Sequence, residues 1–68
     1  MKITQVNGAT VCELESDAAF SAFRMGQNDH KQWNRHPETA ELNNYMVTNG
    51  RSEHVYVTYD GNSVRVRA

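Results

Sequence analysis

Two short segments, Asn7-Gly8 near the start and Asp60-Gly61 near the end, constrain what this chain can fold into more than any other feature. Each is flanked by residues that favour strands. Asn-Gly and Asp-Gly tolerate the positive φ angles of a type I′ turn, the two-residue loop whose twist matches paired antiparallel strands. We therefore predict a β-hairpin at each end of the chain.

The first hairpin has two faces, which follow from counting outward from its turn. Val6 pairs with Ala9, and the alternation of side chains along each strand then separates the faces. The face that we assign to the core carries Met1, Ile3, Cys12 and Leu14. The opposite face carries Lys2, Thr4, Val6, Val11 and Glu13.

The second hairpin has one plausible inner face. Counting from Asp60-Gly61 pairs Tyr59 with Asn62 and places four valines together: Val55, Val57, Val64 and Val66. The outer face carries His54, Tyr56, Thr58, Ser63, Arg65 and Arg67. A one-residue slip would exchange the faces, so we expect burial of the valines to determine the register.

Helical signals lie between the hairpins. Ser16 is a favourable N-cap for a helix from Asp17 to about Met25, and Gly26 is a natural stop. The polar segment from Gln27 to His36 has no periodicity and predicts a long loop with room for one helical turn. A second helix is predicted from Pro37 to about Val47, closed by Asn49-Gly50, although residues 44–48 also fit a strand.

The chain has 68 residues, 38% of them hydrophobic, which predicts a single domain (residues 1–68) with a small core. We expect an α+β fold in which two β-hairpins form a four-stranded antiparallel sheet, with one or two short helices packed on one face. The formal net charge is −1, so the chain as a whole is not a polycation that would bind nucleic acid indiscriminately. Any electrostatic recognition must be local.

The residue types that catalysis or metal binding needs form no recognisable pattern here. Cys12 is the only cysteine, and His30, His36 and His54 have spacings that match no zinc motif. No glycine-rich phosphate loop occurs. The sequence therefore predicts a non-enzymatic protein with no catalytic residues, no metal, no cofactor and no small-molecule substrate.

The compartment is predicted from two features of the chain. A single cysteine excludes an intrachain disulfide. We find neither a signal peptide nor an apolar run long enough to span a membrane. The expected location is the cytoplasm, without membrane association.

The first candidate surface is a protein-binding one, formed by Lys31, Trp33 and Arg35 of the polar segment together with Arg24 of the first helix. Tryptophan and arginine are enriched at the energetic centres of protein interfaces. The neighbours of Trp33 are all polar, so no local apolar face directs the indole inward. We therefore expect Trp33 to be exposed in the free protein and to anchor a partner.

The second candidate surface is the outer face of the C-terminal hairpin, with His54, Tyr56, Arg65 and Arg67. An aromatic ring beside cationic side chains on an open sheet can stack bases and contact phosphates. The alternative, purely structural interpretation is that the Tyr56 ring and Arg65 form an ordinary cation–π contact across the two strands.

Taken together, these features favour a small protein-binding module, an adaptor, regulator or stoichiometric inhibitor. Its size is one that is frequent among phage and mobile-element accessory proteins. The alternative is a nucleic-acid-binding module that uses the outer sheet face. The identity of the partner is not encoded in any motif of the chain.

Overall fold

A computed structural model describes residues 1–49 and 54–67 of the chain. Its strands are β1 (Lys2–Val6), β2 (Ala9–Glu13), β3 (Val55–Tyr59) and β4 (Asn62–Arg65). Its α-helices are α1 (Asp17–Met25) and α2 (Pro37–Asn49), with a 3₁₀ helix (His30–Arg35) between them.

Both predicted hairpins are confirmed, and so are their registers. Asn7 and Asp60 have φ of 50°, and Gly8 and Gly61 have φ of 84° and 80°. These are left-handed values, as a type I′ turn requires at both central residues. The paired residues run from Lys2–Glu13 to Val6–Ala9 in the first hairpin and from Tyr56–Arg65 to Tyr59–Asn62 in the second.

The predicted α+β class is confirmed, with one difference in the sheet. The strand order is β1-β2-β3-β4, but β2 and β3 run parallel, so the sheet is mixed and not antiparallel throughout. Thr10 N–H donates to His54 O at 2.7 Å, and Leu14 N–H donates to Thr58 O at 3.0 Å. Parallel neighbours need a long crossover connection, and the chain between β2 and β3, which contains both α-helices, provides it.

The two α-helices lie where the sequence predicts them. Ser16 Oγ accepts a hydrogen bond from Ala19 N–H at 3.2 Å and caps α1. Because α2 continues through Asn49, the strand alternative for residues 44–48 is wrong. The predicted closing residue Gly50 lies outside the described residues.

The core lies between the helices and the sheet face that alternation assigns to the interior. Its buried side chains include Cys12, Leu14, Val55, Val57 and Val66 from the sheet and Ala19, Phe23, Leu42 and Met46 from the helices. The opposite face of the sheet, which we call the open sheet face, carries Lys2, Thr4, Val6, Val11, Glu13, Tyr56, Thr58, Ser63 and Arg65. The described helices pack on the inner face.

Trp33 contradicts the expectation of an exposed anchor, because its side chain is 0% exposed. The indole stacks on the ring of Phe23 with a centroid separation of 5.7 Å, and its Nε1–H donates to Phe23 O at 2.9 Å. Thr39 Oγ1, itself buried, donates to Trp33 O. The polar segment folds back because the indole gains an apolar partner and an acceptor, while its backbone gains hydrogen bonds.

Gly26 provides the space that the indole occupies. Its φ of −81° is accessible to any residue, so this glycine is not needed for a left-handed helix stop. A Cβ at this position would lie 1.8 Å from Trp33 Cδ1 and 2.0 Å from Trp33 Nε1. Gly26 is therefore required by packing.

We predict that Gly26→Ala lowers the free energy of unfolding by about 3 kcal/mol or more, because the added methyl group overlaps the buried indole. Gly61→Ala is the control. It meets open space but keeps a positive φ, which should cost about 1–2 kcal/mol. Urea denaturation of the parent and both variants gives the comparison, and a smaller loss for Gly26→Ala than for Gly61→Ala would contradict the packing role.

Candidate functional site

A groove of about 510 Å³ runs between α1 and β4, and we call it the α1–β4 groove. Phe20 and Phe23 of α1 and Val64 of β4 contribute its apolar surface. Its polar lining consists of Arg24, Gln27, Asn28, Asn62 and Arg67. The groove thus combines apolar surface with side chains that can donate hydrogen bonds.

Regular spacing brings the groove residues to one place. Phe20 and Arg24 are four residues apart on α1 and therefore lie on the same side of the helix. Asn62 and Val64 are two residues apart on β4 and share the inner face of the sheet.

The Phe20 ring holds α1 against the sheet. It lies 5.6 Å from the Tyr59 ring and 6.1 Å from the Phe23 ring, as measured between centroids. Tyr59 OH donates to Asp17 Oδ1 at 2.7 Å, and this hydrogen bond raises the pKa of Tyr59. Tyr59 of β3 therefore contacts α1 through both its ring and its hydroxyl group.

Gln27 binds the outer edge of the C-terminal hairpin much as a neighbouring strand would. Its Nε2 donates to Arg65 O at 3.0 Å, and its Oε1 accepts from Arg67 N–H at 3.2 Å. His30 Nε2 lies 3.1 Å from Arg67 O, and Arg67 Nη1 donates to Asn28 Oδ1. These contacts hold the end of the hairpin and place the Arg67 side chain in the groove lining.

The groove is positively charged. Arg24 and Arg67 line it, and no acidic side chain does so among the residues that the structure describes. Arg24 is exposed and forms no ion pair within residues 1–49 and 54–67. Two guanidinium groups beside apolar surface attract an anionic group and can hold it with directional hydrogen bonds.

The structure separates the four residues that the sequence assigns to protein binding. Arg24 lines the α1–β4 groove. Lys31 and Arg35 are exposed on the 3₁₀ helix but do not line the groove, and Trp33 is buried. Trp33 therefore anchors its own segment to the core and is not available as an exposed anchor for a partner.

The structure also divides the set that the sequence assigns to nucleic-acid binding. Tyr56 and Arg65 are paired across β3 and β4 on the open sheet face, and His54 is exposed just before β3. Arg67 departs from the prediction, because its guanidinium turns to Asn28 and the groove. The open sheet face thus keeps one half-buried aromatic ring and one adjacent arginine from this set.

The side chains of residues 1–49 and 54–67 that could bind a metal ion do not form a site. In the described part of the chain, no three His, Cys, Asp or Glu side chains form a group that could hold a metal ion. The ring of His30 lies against the Trp33 indole with centroids 4.5 Å apart, and His36 Nδ1 accepts from Glu38 N–H at 3.1 Å. Burial, with a smaller contribution from the charge of Glu41, raises the pKa of the Cys12 thiol to about 11.

No protein-family model, curated protein or solved structure matches this chain. Within residues 1–49 and 54–67, none of the helices has the length and apolar character needed to cross a membrane. Function therefore has to be inferred from the geometry and charge of the surfaces described above.

The sequence does not predict the groove, because the residues that line it have the sequence features of core residues and of loop residues. Alternation and helical spacing assign Phe20 and Val64 to the interior, and composition assigns Gln27 and Asn28 to a loop. The only signal for the groove is the pair of amide side chains directly after a helix, since amides can replace a strand's backbone hydrogen bonds. That signal does not identify the distant strand that they bind.

We predict that the Cys12 thiol ionises near pH 11 in the folded protein and near its ordinary pKa of 9.0 in the unfolded chain. The folded state holds this proton more tightly, so the pKa difference contributes to the free energy of unfolding. That contribution is fully present below about pH 9 and is lost as pH rises through about 11. Ultraviolet thiolate absorbance in native buffer and in denaturant measures both titrations. Native ionisation near pH 9 would contradict the burial of this thiol.

Proposed function

We propose that the protein is a small, non-enzymatic protein-binding module, an adaptor or stoichiometric inhibitor, that holds a segment of its partner in the α1–β4 groove. The observation that supports this proposal is the lining of the groove, where the apolar side chains of Phe20 and Val64 lie beside Arg24 and Arg67. Apolar surface beside arginine side chains is a composition that protein interfaces favour.

Lys31 and Arg35 have a secondary part in this proposal. Both are exposed on the 3₁₀ helix and add positive charge outside the groove. Charges at the margin of an interface mainly raise the association rate and its dependence on salt. We therefore assign to Lys31 and Arg35 the steering of an acidic partner and not its retention.

The cellular setting is part of the same proposal. We assign the protein to the cytoplasm, where a buried thiol such as that of Cys12 stays reduced. A compact chain with one binding groove suits an accessory protein of a phage or mobile element that regulates another protein.

The second candidate function is nucleic-acid binding on the open sheet face. The observation that favours it is the pairing of Tyr56 with Arg65 on a face that the described helices leave uncovered. An exposed strand face with an aromatic ring and an arginine can stack a base and contact a phosphate. Glu13 on the same face and the turning of Arg67 toward Asn28 weigh against it.

The proposed function is tested by capture of partners on the immobilised protein from a lysate of its source, with and without nuclease. We expect a protein partner in both lysates. Titration of that partner should then show that Arg24→Gln weakens binding by about tenfold, which is about 1.4 kcal/mol. Arg35→Gln is the matched control, since it removes an exposed arginine outside the groove and should leave the dissociation rate near that of the parent.

Two results would overturn the proposal. If nuclease abolishes the capture and affinity for single-stranded nucleic acid falls steeply with salt, the second candidate function is correct. If the partner remains bound but Arg24→Gln and Arg35→Gln behave alike, the groove is not the binding site.

A further inference from the structure

We propose that the α1–β4 groove accepts an extended acidic segment, which adds as a strand to the free part of the β4 edge and presents a carboxylate to Arg24 and Arg67. This inference rests on the proposed protein-binding function and specifies the conformation and chemistry of the partner.

The backbone of β4 offers a short free edge. Val66 N–H donates to Val55 O at 2.9 Å, so the alternation of an antiparallel ladder turns the backbone groups of Ser63, Arg65 and Arg67 away from β3. Gln27 already binds Arg65 O and Arg67 N–H. Ser63 N–H, Ser63 C=O and Arg65 N–H remain without a partner among residues 1–49 and 54–67.

The Gln27 side chain limits where a strand can add. Its amide occupies the position that the backbone of an added strand would take beside Arg65 and Arg67. The turn at Asp60-Gly61 ends the edge on the other side. An added segment therefore pairs with Ser63 and Arg65 over a short length, which restricts uncontrolled sheet extension while leaving a site for one strand.

The side chains of an added strand would alternate between the two faces of the sheet. Those on the inner face would enter the α1–β4 groove beside Asn62 and Val64. There they would meet Phe20, which like Val64 is half-buried and retains some contact with solvent. An apolar side chain at this position would remove that remaining apolar surface from water.

The charges around the groove favour an acidic segment and also determine where that segment binds. The carboxylate is the natural partner for Arg24 and Arg67, since guanidinium groups bind carboxylates with paired, charge-assisted hydrogen bonds. A second depression of about 440 Å³, on the other side of Phe20 and Arg24, contains Asp17 and the side chain of Met25, which is 53% exposed. The Asp17 carboxylate disfavours an acidic segment there, so charge complementarity directs the segment to β4.

The experiment uses a short acetylated and amidated peptide of alternating Asp and Leu as the probe, added to the isotope-labelled protein and followed by amide NMR shifts. We expect saturable shifts at Ser63 and Arg65. A peptide of alternating Lys and Leu should bind about tenfold more weakly or not at all. Arg24→Gln should weaken binding of the Asp-Leu peptide by about tenfold and speed its dissociation, whereas the matched variant Arg35→Gln, which removes only a steering charge outside the groove, should leave the dissociation rate near that of the parent.

The dependence on strand pairing has its own control. An Asp-Leu peptide that is N-methylated at alternate residues cannot donate the backbone hydrogen bonds of one edge. If strand addition holds the peptide, we expect one of the two N-methylated registers to lose binding while the other retains it. Equal binding of both registers and the unmethylated peptide would overturn strand addition.

Four other outcomes would overturn the inference. Equal affinity for the Lys-Leu peptide would show that charge does not select the segment. Amide shifts confined to the open sheet face would show that the peptide binds there and not at the β4 edge. If the amide shifts of Ser63 and Arg65 change with protein concentration in the absence of peptide, the edge is occupied by a second copy of the chain. If the captured partner depends on Arg24 while no Asp-Leu peptide binds, the protein-binding function stands and the acidic strand is wrong.

Discussion

The packing of the Trp33 indole onto Gly26, with its Nε1–H on Phe23 O, is the contact on which the rest of the structure depends. It draws a polar segment back onto α1 and the core. Once the segment is held, Gln27 and His30 reach the end of the C-terminal hairpin. That contact gives the edge of β4 its limited free length and brings Arg67 into the groove lining. A residue buried in the core thus shapes the surface that we propose for binding.

Local features of the chain were predictable because a few neighbouring residues encode them. The type I′ turns follow from Asn-Gly and Asp-Gly, the registers follow from strand alternation, and the start of α1 follows from Ser16. The parallel pairing of β2 and β3 follows only from the path of the crossover, which no short segment encodes. The burial of Trp33 was not predictable for the same reason, since its neighbours in sequence are polar and its partners are Phe23 and Gly26.

The candidate site shows the same division between local and distant information. Arg24 is predicted to contribute to a binding surface, and helical spacing places it beside Phe20, where it lines the groove. Arg67 is predicted to lie beside Tyr56 from strand alternation, but the regular part of β4 ends at Arg65, and the side chain turns to Asn28. In a chain of 68 residues the polar segment both protects a sheet edge and forms part of a groove. Amide side chains can serve both purposes because they bind backbone groups without adding charge.

Hydrogen exchange of the Trp33 indole Nε1–H tests the central claim most directly, because this proton reports the contact that holds the polar segment on the core. If the segment is an integral part of the fold, the indole proton should exchange only on global unfolding, with the same protection as the amide of the buried strand residue Val57. If the indole proton is protected about a hundredfold less than the Val57 amide, the segment opens independently of the rest of the fold. The free energy of that opening would then be about 2.7 kcal/mol below the free energy of global unfolding. That result would contradict a preformed α1–β4 groove.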